Sequence, residues 1–231
     1  MTNDAKSLKA ISLKEYIDQF AENAINRFDS ILKFTPEELE EYNIILNRFM
    51  EINSSSSSTK MKGDILEEIV SFILNKSIVF EVYENVKTGS NEIDQLTRLN
   101  KKGHYFYKQG LLNFEQSFLC ECKNYNQSVS VTWVGKFYSL MKVTKKKLGI
   151  IFSYNGLSGS DWRDGIGLTK KIYLSDEDNS KIIDFNINDF KKLADGESFI
   201  DLINNKIFTL ENDAKIDNFI SNHPNEIYFN S

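Results

Sequence analysis

Residues 117 to 153 constrain the fold more than any other stretch. "SFLCECKNY" reads as a strand, "TWVGKFYSLMKVTKKK" sets Val134, Phe137, Tyr138 and Met141 on one side of a helix capped by Thr132, and "LGIIFS" reads as a second apolar strand. This is a strand-helix-strand crossover. The segments before it, "SIVFEVY", "NEIDQLTRL" and "HYFYKQ", have the short, aromatic and β-branched character of a strand meander, and they follow an amphipathic helix in "KGDILEEIVSFILN". After it come a Gly-rich loop "NGLSGS", a helix near residues 162 to 171, strands "KIYL" and "KIIDF", a helix from Asn188 and further helical segments. The expected class is α/β, with a mixed central sheet flanked by helices.

Two capping-box openings precede this region, Ser12 with Glu15 and Thr35-Pro36 with Glu38. Apolar residues follow each at helical spacing: Leu13, Tyr16, Ile17, Phe20, Ala24 and Phe28 after the first, and Leu39, Tyr42, Ile45, Leu46 and Phe49 after the second. A helical hairpin is expected. "NSSSSST" has nothing to pack and reads as a linker or disordered loop. The expected organisation is an N-terminal helical region (1–53), a Ser-rich linker (54–60), an α/β domain (61–195) and a C-terminal helical extension (196–231). With 231 residues and 41% hydrophobic composition, the chain can bury one substantial core. It shows no long apolar run and no basic-then-apolar leader, so a cytoplasmic protein without a membrane partner is expected. Cys120 and Cys122 stand too close for a relaxed bridge and read as reduced packing residues.

The net charge of −5 conceals a strong asymmetry. From Arg98 to Lys147 ten bases face two acids, a local +8; elsewhere 18 bases face 31 acids, or −13. A basic middle on an acidic body is expected to face a polyanion. Lys136, Lys142, Lys145, Lys146 and Lys147 are the candidate phosphate contacts, with Arg163 in "NGLSGSDWRD" as another. The plainer reading of "KVTKKK" is a helix end whose cations complement the dipole.

Glu121 and Lys123 interrupt an otherwise buried strand run, where charge is excluded unless something compensates it. Residues at i and i+2 of a strand share a face, so Glu121 and Lys123 project together, as do Glu92 and Asp94. If the two strands are neighbours, Asp94 and Glu121 can share one hard cation beside Lys123. Two carboxylates and a lysine around Mg²⁺ suit phosphodiester hydrolysis, because the cation polarises the phosphate while the lysine orients or deprotonates water or neutralises the charge that develops. A cross-strand surface ion pair is the simpler alternative.

Taken in order, "KGDILEEIV", "NEID", "ECKNY" and "GIIFS" resemble the PD-(D/E)xK nucleases, and among them the Mrr-type restriction endonuclease-like domains, across roughly residues 62 to 175. The resemblance implies a restriction-endonuclease-like fold for the 61–195 domain. It also implies a metal held by Asp94 and Glu121, with Cys122 between the motif residues as a further metal position, Lys123 at the reaction centre and Glu67 as the supporting first-helix acid. Mg²⁺ is the implied cofactor, with Mn²⁺ able to substitute, and nucleic acid the partner, DNA before RNA. The chain departs from the Mrr pattern in having Glu121 where many members have glutamine, and Ser90-Asn91-Glu92 where they have glycines.

His104 and His223 support neither a histidine triad nor a two-histidine zinc site, and "DGIGLT" lacks the strand and third glycine of a dinucleotide loop. The expectation is therefore a metal-dependent nuclease, foremost a DNA endonuclease of a restriction or defence system. The alternative is a non-catalytic nucleic-acid-binding or assembly subunit that retains the fold. Cutting both strands needs two sites, so a homodimer joined through the N-terminal helices is a further expectation.

Overall fold

The computed structural model describes residues 22–23, 28–87, 92–159 and 163–213. Helix α1 (Pro36–Ser54) starts where its capping box predicts: Glu38 N–H donates to Thr35 Oγ1 at 3.2 Å, and Thr35 N–H donates to Glu38 Oε2 at 3.0 Å. It buries Tyr42, Ile45, Leu46 and Phe49 and packs on α2 (Thr59–Lys76). The serine tract joins the two helices: Ser54 ends α1, while Ser58 Oγ accepts from Met61 N–H at the head of α2. Both helices contribute to one core cluster, so the tract lies within a packed unit. The expected first helix of the hairpin falls largely outside the described residues.

Five strands form a mixed sheet in chain order: β1 (Phe80–Lys87), β2 (Glu92–Leu99), β3 (Ser117–Cys122), β4 (Leu148–Phe152) and β5 (Lys181–Phe185). The β1, β2 and β3 neighbours are antiparallel, while β3, β4 and β5 run parallel. Each parallel step needs a crossover, supplied by α4 (Val131–Val143) and α5 (Gly165–Ser175). A short helix α3 (Lys101–Lys108) joins β2 to β3, and α6 (Ile187–Ala194) and α7 (Phe199–Asp213) follow β5.

Three local expectations are corrected. "HYFYKQ" is not a strand: all but its last residue belong to α3, which begins because Asn100 Oδ1 accepts the N–H groups of Lys102 and Gly103. Gly103 lies so close to the Val79 carbonyl that a Cβ would collide with it. "KIYL" is the last part of α5, where an apolar run had no periodicity of its own to separate strand from helix. Ser130, not Thr132, occupies the N-cap of α4, in extended backbone, and Thr132 is already helical.

The sheet separates two apolar layers. Phe118, Cys120, Ile150, Phe152 and Phe185 meet α1, α2, α6 and α7 on one face. Leu119, Ile151 and Ile182 meet Val134, Phe137 and Met141 of α4 and Ile172 of α5 on the other. The α4 contact is closest at Gly149, where a Cβ would stand 2.5 Å from both Met141 Sδ and Phe137 Cε1.

Candidate active site at the carboxyl end of β3

The antiparallel register pairs Arg98 with Ser117, Thr97 with Phe118, Leu96 with Leu119 and Gln95 with Cys120. Its next step sets Asp94 opposite Glu121, on the face that Leu96 and Leu119 share. The Cys122 N–H donates to Asp94 Oδ2 at 2.8 Å, which holds the aspartate over the end of β3. Lys123, one residue past the strand, is fixed from behind: its backbone N–H donates to the Phe152 carbonyl at 2.8 Å. Its Nζ reaches Glu121 Oε1 at 2.6 Å, with the two side chains 19% and 15% exposed. Asp94, Glu121 and Lys123 are therefore brought together. The side chain of Glu92 is outside the described residues.

These charges are held under tension. Burial, followed by the Asp94 charge, raises the Glu121 carboxyl above its ordinary value, with Lys123 opposing both. Burial pulls the Lys123 ammonium down, but Glu121 and then Asp94 outweigh it and keep the lysine above its usual value. Lys123 Nζ also lies 5.1 Å from the centre of the Trp133 ring, which Lys136 Nζ approaches at 4.4 Å.

Asp64, Glu67, Glu84, Asp94 and Gln95 line an acidic cavity of about 270 Å³ between α2 and the β1–β2 pair. The Glu67 carboxyl is raised by burial and by Asp94 and Asp64. Glu68 lines the same cavity and also forms an ion pair with Arg48 of α1 at 2.7 Å. The cavity is rich in hard oxygen donors, which fits Mg²⁺ or Mn²⁺ in chemistry and in charge. Among the described residues, however, no three His, Cys, Asp or Glu side chains gather into a metal-holding group. The Cys122 side chain does not join the carboxylates: it packs against the α1/α2 core layer, and burial pushes its thiol well above the ordinary value. Its contribution to the site is the backbone N–H.

The basic residues divide. Lys136 stands by Trp133 at the site, and Arg163 is exposed just before α5, whose first turn is tied to Ser158 and through it to Val129, ahead of α4. Lys142, Lys145, Lys146 and Lys147 lie at or just past the other end of α4, Lys142 nine residues and about 13 Å along the helix from Trp133. Lys142 is bound to Asp176 and Asp178 at 2.8 Å each, Lys147 to Asp178 at 3.4 Å, and Lys146 donates to Ser117 Oγ at 2.7 Å. The structure does not bring this cluster to the carboxylates.

Sequence reasoning missed Asp64, Glu84 and Gln95 beside the site. It also missed Lys62 and Asn124, two buried polar residues next to it. Lys62 had a visible signal: Ile65, Leu66 and Ile69 follow at i+3, i+4 and i+7, which places the lysine on the apolar face of its own helix. Asn124 had none. No helix among the described residues is long and apolar enough to cross a membrane. Comparison with protein-family models, with curated protein sequences and with solved structures gives no match.

Proposed function

We propose that the chain is a metal-dependent nuclease that hydrolyses phosphodiester bonds, with DNA as the preferred substrate and restriction or defence as the setting. One observation carries the reading: beyond the last β2–β3 pair, Gln95 with Cys120, the Asp94 carboxylate accepts the Cys122 N–H at 2.8 Å while Lys123 lies 2.6 Å from Glu121. The order α2, three antiparallel strands, crossover helix α4 and parallel strand β4 supports a restriction-endonuclease-like fold.

Asp94 and Glu121 are the residues that would hold the divalent cation, whose chemistry when bound is Lewis-acid polarisation of the scissile phosphodiester. Lys123, kept protonated by Glu121, serves as a cation rather than a base: it neutralises charge that grows on the phosphoryl oxygens. Glu67, with its carboxyl raised, lines the acidic cavity together with Asp94 and would take up a proton from attacking water. Trp133, with Lys136 against its ring, offers an aromatic and cationic flank for the strand being cut.

The test incubates the protein with plasmid, linear duplex, single-stranded DNA and RNA in Mg²⁺, in Mn²⁺ and in chelator. Cleavage of at least one substrate that needs the cation and disappears in Lys123→Ala and Glu121→Ala supports the reading. Equal Mn²⁺ binding by wild type and Asp94→Ala sinks the metal assignment. A second reading, a nucleic-acid-binding subunit that does not cut, draws on the Lys123–Glu121 pair itself, since a lysine closed onto a carboxylate occupies a donor that a cation would use. Binding without cleavage across the panel favours it.

A further inference from the structure

The amino end of α2 and the loop after β3 enclose two buried polar residues whose hydrogen bonds to one another's segments leave one charge without a counter-ion and one oxygen without a donor. Lys62 is 7% exposed and sits in the first turns of α2, where the helix dipole disfavours a cation. Its Nζ donates to Asn126 Oδ1 at 2.8 Å, and among the described residues no carboxylate pairs with it. Asn124 is 5% exposed; its Nδ2 donates to the Lys62 carbonyl at 2.6 Å, and its Oδ1 has no hydrogen-bond partner. Both residues line a cavity of about 370 Å³, and Lys62, Tyr125 and Asn126 also line an adjoining one of about 500 Å³ that reaches Tyr154.

The Lys62 ammonium has a neutral partner but no anion, and Asn124 Oδ1 has no partner at all, so each asks for a complementary group. A desolvated ammonium asks for an anion, and a buried carbonyl oxygen without a donor asks for an N–H or O–H. The two tyrosines supply flat walls held from behind, Tyr125 against Trp133 at 6.1 Å and Tyr154 against Phe49 at 5.3 Å between ring centres. An anion, a hydrogen-bond donor and a flat ring in one ligand describe a nucleotide. The position is equally specific, because Tyr125, which lines both cavities, and Lys123 lie against the same Trp133 ring, at 6.1 Å between ring centres and 5.1 Å from Nζ to the ring centre, so the cavities neighbour the carboxylate–lysine site.

We propose that this cavity receives the nucleotide next to the scissile phosphate, with its phosphate on Lys62 Nζ and an N–H of its base on Asn124 Oδ1. The proposal rests on the nuclease reading for its placement, though not for the chemistry of the pocket. A base inserted here is read by one acceptor, so bases that present an N–H to that edge are preferred over the same backbone without one.

The test uses the full chain carrying Lys123→Ala, in chelator, so that cutting cannot obscure binding. A short fluorescent single-stranded DNA is titrated by anisotropy, and the four 5′-deoxynucleoside monophosphates and inorganic phosphate are used as competitors. Lys62→Met keeps the stem and removes the charge; Asn126→Asp gives Lys62 an internal carboxylate and blocks the anion position without emptying the cavity. Each is expected to weaken DNA binding and nucleotide competition by about tenfold or more, the scale of one charge-assisted hydrogen bond, with thermal melting unchanged or improved. Inorganic phosphate is expected to compete more weakly than any nucleotide. The proposal is overturned by unchanged affinity in variants that melt normally, by phosphate competing as well as the nucleotides, or by nucleotides that bind without displacing the DNA. If wild type cuts nothing but binding still depends on Lys62, the nuclease reading fails alone. If wild type cuts while both variants leave binding and KM untouched, the pocket fails alone.

Discussion

The two ends of the central sheet carry similar numbers of charges and treat them in opposite ways. Where α4 ends and β4 begins, Lys142, Lys147, Asp176 and Asp178 satisfy one another, and burial that would raise the Asp176 carboxyl is overcome by hydrogen bonds from Lys142 and Ser180, which bring it down to about 2. At the other end, where β3 stops, Glu67 and Glu121 are both raised by burial and by neighbouring acid, and one lysine is set against several carboxylates. The first arrangement lowers the energy of the folded chain. The second costs energy, and such groups persist where chemistry or a ligand makes use of them. Charge count alone does not separate these cases, since the lysine-rich end, the more conspicuous in the sequence, is the neutralised one.

The largest effect should come from the strained end. Lys123→Ala is expected to lower metal-dependent cleavage by about a hundredfold or more, the scale of removing one preorganised cation or donor from a developing charge. Nucleic-acid binding should change far less. Cleavage rates under saturating substrate, with anisotropy for binding, check both; parallel losses in the two would make Lys123 a binding residue and erase the contrast between the ends.

Next is the packing that holds the ends in register. Gly149→Ala would drive a methyl group into Met141 and Phe137, and overpacking of this kind costs about 1–3 kcal/mol. Denaturant unfolding measures it. Because α4 spans both ends, the substitution should weaken the whole fold; a loss of cleavage with no loss of stability would instead assign α4 a more direct role in the site.

How much of this was legible depends on whether the deciding interaction was local. The α1 capping box, the apolar face of α2 and the alternation in "NEIDQLTRL" are properties of a few neighbouring residues, and each appears where the sequence puts it. The approach of Asp94 to the end of β3 was legible only as a condition, since it required β2 and β3 to be neighbours in one particular register. The "KIYL" and "HYFYKQ" segments failed because aromatic and branched residues suit both strands and well-packed helices, and the choice was made by the Asn100 cap and by the second crossover that β5 demands. The role of "KVTKKK" failed for a different reason: its neutralising partners, Asp176 and Asp178, lie more than thirty positions along the chain. The unpartnered Asn124 oxygen is a fact of burial that no composition or spacing records.

A smaller effect is expected at the satisfied end. Asp176→Asn removes a carboxylate whose value is depressed in the folded protein, so its contribution is present above the ordinary carboxylate value of 3.8 and is lost as pH falls toward about 2. The variant should melt below wild type at neutral pH, and the difference should close in acid. Cleavage should be unchanged. A fall in cleavage would mean that this cluster communicates with the site through α4.

The smallest effect has the opposite sign and tests the comparison most directly. Glu67 stands above its ordinary value through burial, Asp94 and Asp64, so the folded protein binds its proton more tightly than the unfolded chain does. Stability is then lost as pH rises from the ordinary carboxylate range through the raised value, and the deficit persists at higher pH. Glu67→Gln removes that deficit: in chelator it should melt above wild type at about pH 7, with the gap closing below about pH 4 and held under about 1 kcal/mol by solvent screening. Adding Mn²⁺ should reverse the order, because a cation neutralises in wild type what glutamine neutralises by substitution, and it should raise the wild-type midpoint more than the variant's. Equal melting of the two proteins at every pH, with and without Mn²⁺, would show that Glu67 lies outside the field of the carboxylate site, and the acidic cavity would then belong with the solvated surface rather than with the chemistry.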